Sequence, residues 1–248
     1  MADRRTALPA TAAIMLGLCC AACGISPSGG ADPPPASREL TCGGPSFHSD
    51  ALEGLGNAET LDDPAAATLR RHLSGGEGLG VPRAGWYEAI RTDAMALYVA
   101  ENPNSVEPAW VAVTVEGGGD GWQVTGWGSC ILMVALAPGL GPATFRVDPE
   151  VELAPETTEI PVLVTERACN GGEDARGRIV APVIEVGPEA VTVVFAVQPR
   201  GGEHNCPSNP ETPFILVLPE PLGDRVLLDG SMVPARDATN CADPFLCP

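Results

Sequence analysis

From residue 86 onward, apolar and polar positions fall into short runs that read as β-strands. Residues 86–91, 94–100, 110–115 and 122–128 are rich in aromatic, aliphatic and β-branched side chains, and turn residues close each run. The stretch Gly117-Gly118-Gly119-Asp120-Gly121 is the clearest hairpin connection, because glycine and aspartate accept the positive φ angles of tight turns. One segment ahead of these runs is helical in character. Asp63 can cap it, Pro64 suits the first helical position, residues 65–73 hold good helix formers, and Ser74-Gly75-Gly76 ends it. Residues 41–137 are therefore expected to form a small α+β antiparallel meander with one helix.

Prolines 138, 142, 149 and 155 mark 138–155 as the expected linker, through which Phe145-Arg146-Val147 can run extended. Beyond it, residues 160–165, 178–186, 190–197, 213–218 and 225–228 are again short runs bounded by Gly, Pro or Asn. That regular spacing predicts an antiparallel β-sandwich of the Ig-like kind over 156–248, with Gly187-Pro188-Glu189 as a hairpin and a disulfide-pinned tail. The fold class is mainly β.

The amino-terminal stretch has a different pattern. Arg4 and Arg5 precede an apolar run over 7–18, and Ala21-Ala22-Cys23-Gly24 follows. A positive end, a short apolar segment and small residues before a cut make 1–22 an export signal. The run contains Pro9 and is shorter than the roughly 20 apolar residues a spanning helix needs. Its tail resembles the lipobox of bacterial lipoproteins, departing from it at Cys20, where leucine is usual. The resemblance implies that Cys23 takes a diacylglyceryl group on sulfur and an acyl chain such as palmitate on its freed amine. Two or more chains give durable membrane attachment. Secretion after a cut near Ala22, without lipid, is the alternative. Residues 23–40 then form the lipidated cysteine and a proline-rich flexible tether, which from Gly24 to Leu40 reaches at most about 50 Å at roughly 3.1 Å per residue.

Composition narrows the partners. The net charge is −18, and loss of residues 1–22 removes one acid and two arginines, making it one unit more negative. Such a field excludes nucleic acid and repels anionic headgroups, so membrane contact is expected through the lipid alone. All fourteen basic residues are arginine. Apart from Cys23, the exported chain holds Cys42, Cys130, Cys169, Cys206, Cys241 and Cys247. Without Cys-x-x-Cys or His-paired spacing, these favour disulfides in an extracytoplasmic, oxidising compartment. Keeping bridges within the expected parts pairs Cys42 with Cys130, Cys169 with Cys206, and Cys241 with Cys247. With Cys23 lipidated, no odd thiol is left.

Candidate chemistry is sparse, and no motif calls for a cofactor or a metal. Residues 74–80 are glycine-rich, but Val81 breaks the G-x-G-x-x-G register and the segment reads as a loop. His48, His72 and His204 stand apart, with neither a G-x-S-x-G elbow nor an H-E-x-x-H pair, and no D-x-[DN]-x-[DN]-G calcium loop is present. Arg176 and Arg178, beside Glu173-Asp174, are a candidate anion clamp, with local ion pairs as the simpler account. Trp86, Trp110, Trp122 and Trp127 all fall in the first part, where exposed rings can stack on sugars or anchor a protein. On an undistorted strand Trp122 and Trp127 face opposite sides, so at least one is expected outside the core. Trp122, Trp127, Arg176 and Arg178 are thus the candidate binding residues, and no catalytic residue is assigned.

The run Ala168-Cys169-Asn170-Gly171, then Gly177-Arg178, Val191-Thr192-Val193, Cys206-Pro207-Ser208-Asn209-Pro210, Thr212-Pro213 and residues 220–225 resembles the carboxy-terminal region of uncharacterised actinobacterial lipoproteins and secreted proteins. Gly126-Trp127-Gly128-Ser129-Cys130 is similar to their amino-terminal part. The resemblance implies an envelope location and brings no substrate. The expected role is non-catalytic binding of an envelope protein or glycan by a chain anchored to the membrane through lipid; an envelope hydrolase and a passive structural component are the alternatives.

Overall fold

The computed structural model describes residues 38–54, 56–75, 81–103, 109–118 and 121–239. The export segment 1–22, Cys23, the tether as far as residue 37, and the Cys241–Cys247 pair lie outside the described residues. The expected tether of 23–40 is too long at its end, because β1 (Glu39–Thr41) already buries Leu40 in a core. It pairs antiparallel with β2 (Ser46–His48). Two short 3₁₀ turns lead to α1 (Pro64–Ser74), where Asp63 accepts from the N–H groups of Ala65 and Ala66. Pro64 at its start costs nothing, because a first-turn N–H has no helical partner.

The meander follows as β3 (Tyr87–Arg91), β4 (Met95–Asn102), β5 (Ala109–Gly118) and β6 (Gly121–Cys130), in sheet order β3-β4-β5-β6. Both faces of this sheet are covered. Tyr98, Val111, Val113 and Val115 meet Ala65 and Leu69 of α1 together with Trp86. Leu97, Val99 and Trp110 on the opposite face meet Leu40, Phe47 and Leu132 beneath a small sheet of order β2-β1-β7, where β7 is Met133–Val134. Two-sided burial explains why β4 reads as a continuous apolar run instead of an alternation.

The remaining strands are β8 (Gly141–Val147), β9 (Glu159–Glu166), β10 (Val183–Val186), β11 (Ala190–Val197), β12 (Thr212–Val217), β13 (Val226–Asp229) and β14 (Arg236–Asp237). They form one seven-stranded sheet of order β12-β9-β8-β11-β13-β14, with β10 on β11. Here the structure corrects the linker expected at 138–155. Its middle is β8, an interior strand between β9 and β11, and Ala143, Phe145 and Val147 alternate into the core with Ile160, Val162, Val164, Val193 and Phe195. Pro138, Pro149 and Pro155 flank this strand, and Pro142 lies within it, paired with Ala196.

The expected strand over 178–186 is interrupted as well. Val180 donates to Ala196 O and Gln198 to Arg178 O, so the chain follows the β11 edge before β10 begins, and Pro182, with no N–H, stands between. The other edge of β11 is shared. Its first half pairs parallel with β13 and its second half antiparallel with β8. The arrangement is thus a mixed sheet continuous across β11, and the Ig-like antiparallel sandwich expected from strand spacing is not the description it supports.

The two parts are stitched together. Val134 donates to Ser231 O, Val233 to Leu132 O, and the Trp110 indole to Val233 O at 3.1 Å. Val233 packs into the same core as Trp110.

Candidate functional site

The tryptophans divide cleanly. Trp86 is fully buried with its indole N–H on Pro82 O, and Trp110 is a core residue whose ring meets Tyr87. Trp122 and Trp127 lie on β6, an outer strand of the meander. They do not face opposite sides. Gly126 pairs with Thr114 but Val124 pairs with Val115, so Thr125 is an extra residue, a β-bulge that converts the odd spacing of the tryptophans into an even one. Both therefore point to the α1 side, beside Gly117 and Val113 respectively.

Trp122 is half-buried. Its ring fills the space over Gly117, where an added Cβ would stand 3.0 Å away, and its carbonyl accepts from Thr68 Oγ1 on the helix. The Arg91 guanidinium lies 5.3 Å from the ring centroid, an arrangement in which the aromatic quadrupole attracts the cation. Arg91 also donates to Asp63 at 2.5 Å, to Glu88 at 3.2 Å and to Tyr98 Oη at 3.2 Å. Burial alone would raise the Asp63 carboxyl, but hydrogen bonds from Arg91, Ala66 and Ala65 hold it below the usual carboxylate range. Burial pushes the Tyr98 phenol well above its ordinary value, with the neighbouring Glu88 and Asp63 charges adding to it. Arg91 thus locks the helix cap, β3, β4 and Trp122 together.

Trp127 behaves differently. It is 51% exposed, and its ring stands beside His72 of α1 with centroids 5.8 Å apart and planes tilted by 57°. Among the described residues His72 Nε2 has no hydrogen-bond partner and is shielded from solvent. The result is a broad apolar ring presented by a rigid strand and supported from behind by a helix.

Arg176 and Arg178 do not form a clamp. Arg178 turns inward, donating to Glu166 Oε2 at 2.5 Å and to the carbonyls of Gln198 and Asp174, whereas Arg176 is exposed with Asp174 at 3.6 Å. Sequence reasoning missed the group that Arg178 joins. Asn170, fully buried, accepts from the N–H groups of Gly172 and Glu173 and donates to Glu166 Oε2, while Arg200 donates to Asn170 O. Burial would raise the Glu166 carboxyl, but the Arg178 and Asn170 hydrogen bonds and the Arg178 and Arg200 charges hold it below the usual range. The network pins the loop that carries the Cys169–Cys206 disulfide. The nearest sequence signal was Asn170-Gly171 after a cysteine, which reads only as a turn.

The first two expected disulfides are formed, Cys42–Cys130 and Cys169–Cys206. His48 pairs with Glu39 at 3.0 Å on the exposed side of β1 and β2, His204 Nε2 meets Gly201 O, and His72 lies on α1, so the three histidines stay on separate elements. Among the described residues no group of three His, Cys, Asp or Glu side chains is placed to hold a metal ion. Of the glycine-rich segment, residues 76–80 lie outside the described residues.

The chain matches no family model, no curated protein and no solved structure. What it can do must come from its own surfaces. Besides Trp127, two apolar clefts of about 290 and 320 Å³ flank residues 134–140. The first is lined by Leu136, Leu140, Val183 and Val194 and rimmed by the Arg38–Glu185 ion pair. No described helix is long and apolar enough to cross a membrane.

Proposed function

We propose that the chain is an exported protein of the cell envelope, held at the membrane through a lipid on Cys23, and that it binds an envelope glycan or protein through the Trp127 ring. The observation that carries the binding reading is the half-exposed indole braced by His72 on an otherwise well-packed sheet. Large aromatic side chains on rigid backbone are efficient anchors, because they bring contact area with few rotatable bonds to freeze. Two long-range disulfides fit an oxidising compartment, and the lipobox-like segment supplies the anchor.

The anchor is tested by acyl-chain labelling of the full-length chain in a bacterium that processes lipoproteins. The wild type should take up label and fractionate with membranes, and Cys23→Ala should take up none; equal labelling of both removes Cys23 from the reading.

Binding is tested by cross-linking in native envelopes. With no lysine in the chain, carboxylate-directed reagents are required. One partner should be captured reproducibly and its yield should fall about tenfold or more in Trp127→Ala, the loss expected for an anchor residue. Undiminished capture by Trp127→Ala would exclude this ring as the contact, and substrate turnover by the purified protein would favour the hydrolase.

A further inference from the structure

β12 is an outer strand of the seven-stranded sheet and, among the described residues, is hydrogen-bonded on one side only, to β9. Just past its end, Leu218 donates to Thr158 O on the β9 side. By strand alternation the backbone groups of Thr212, Phe214 and Leu216 then point to β9, and those of Pro213, Ile215 and Val217 point to the open edge. Pro213 has no N–H to lose there. Ile215 and Val217 present an N–H and a C=O each, and their side chains are 52% and 59% exposed on the outer face.

Edge strands are normally guarded by charge, bulges or brevity. β3 carries Glu88 and Arg91, and β10 carries Glu185. β12 has six residues, no charged side chain and an unbroken register with β9. The glutamates that bracket it are turned to their own arginines: Glu211 takes a two-pronged bond from Arg146 at 2.6 and 2.7 Å, and Glu220 pairs with Arg225 at 2.6 Å.

We propose that this edge pairs with the β12 edge of a second copy of the chain, antiparallel about a two-fold axis at Ile215. Centred there, Ile215 exchanges both backbone bonds with its symmetry mate, and each Val217 N–H meets the Pro213 C=O of the other copy. The N–H that Pro213 lacks falls opposite a Val217 C=O and breaks no other bond. Pro213, Ile215 and Val217 of both copies form one apolar strip on the outer face.

The charges at the two ends fit the same axis. Exposed Arg167 extends the outward row of β9 and stands at the Thr212 end, where exposed Arg176, with Asp174 at 3.6 Å, also follows Ala175, whose N–H donates to Thr212 Oγ1. Exposed Glu156 and Glu159 stand at the Val217 end, with Glu159 directly across from Val217. Antiparallel pairing sets the arginine end of one copy beside the glutamate end of the other, which offsets the repulsion between two mature chains, each one unit more negative than the −18 of the full sequence. A parallel pairing would set like charges together.

The test is sedimentation equilibrium of the mature chain carrying Cys23→Ala, so that no acyl chain drives association. The chain should dimerise. Ile215→Lys places a charge on an already exposed position and should raise the dimer dissociation constant about tenfold or more with an unchanged circular dichroism spectrum. Ile215→Cys should give a disulfide-linked dimer on mild oxidation, because Ile215 faces itself across the axis, and Pro213→Cys should not. A chain that stays monomeric overturns the proposal, including one that adds only a foreign peptide at this edge. Dimerisation unaffected by Ile215→Lys overturns it too, by placing the contact elsewhere.

Discussion

Replacing Arg178 with alanine is expected to destabilise the protein by about 3–5 kcal/mol, because it leaves the Glu166 carboxylate buried without its main counter-charge. Glu166 is 1% exposed at its side chain, and Arg178 reaches it at 2.5 Å with only 18% of its own side chain in solvent. Denaturant unfolding measures the loss. The double variant Glu166→Gln with Arg178→Met should recover much of it, since removing both charges removes the unpaired burial.

The pH dependence separates charge from packing. In the wild type the folded-state pKa of Glu166 is depressed, so its contribution is present above the unfolded carboxyl value of roughly 4.3 and is lost as pH falls through the folded value. In Arg178→Ala, burial raises the same carboxyl, so the penalty is full at neutral pH and shrinks as acid protonates it. The stability gap between the two proteins should narrow on acidification; a constant gap would mean that Arg178 acts by packing alone.

The second large effect belongs to Cys42–Cys130, which closes a loop of 88 residues. On the chain-entropy model its removal as Cys42→Ala with Cys130→Ala costs up to about 4–5 kcal/mol, and the Cys169–Cys206 loop somewhat less. Thermal unfolding under non-reducing conditions should show the larger drop for the first pair. The reverse order would mean that native contacts around Cys169, including the Asn170 network, outweigh loop length.

Much of the strand pattern was legible because turn residues delimit it. Gly117 to Gly121 and Gly187-Pro188-Glu189 both join adjacent antiparallel strands, and the Asp63-Pro64 start of α1 was visible as a cap followed by proline. The two disulfides followed from keeping pairs within parts. What stayed hidden depended on partners distant in sequence. β8 sits among prolines that read locally as a joint, and only its pairing with β9 and β11 makes it interior. β1, β2 and β7 have two or three residues each, too few to show a period. The phase of Trp122 and Trp127 hangs on a bulge with no sequence mark, and Arg178 reads as part of an anion clamp with Arg176 because its partner Glu166 lies on another strand.

The stitch between Trp110 and Val233 also has a consequence in time. On the export route proposed above, the chain emerges amino terminus first, so the helix and the meander reach the far side before residues 231–233. Until those arrive, the Trp110 N–H and the backbone of Leu132 and Val134 lack their final partners, which for Trp110 lie 123 residues downstream. On that route Cys42 and Cys130 have both crossed by then. Their bond can therefore form over an unfinished half and hold it in place, clamping a sheet that the last strands to arrive will close.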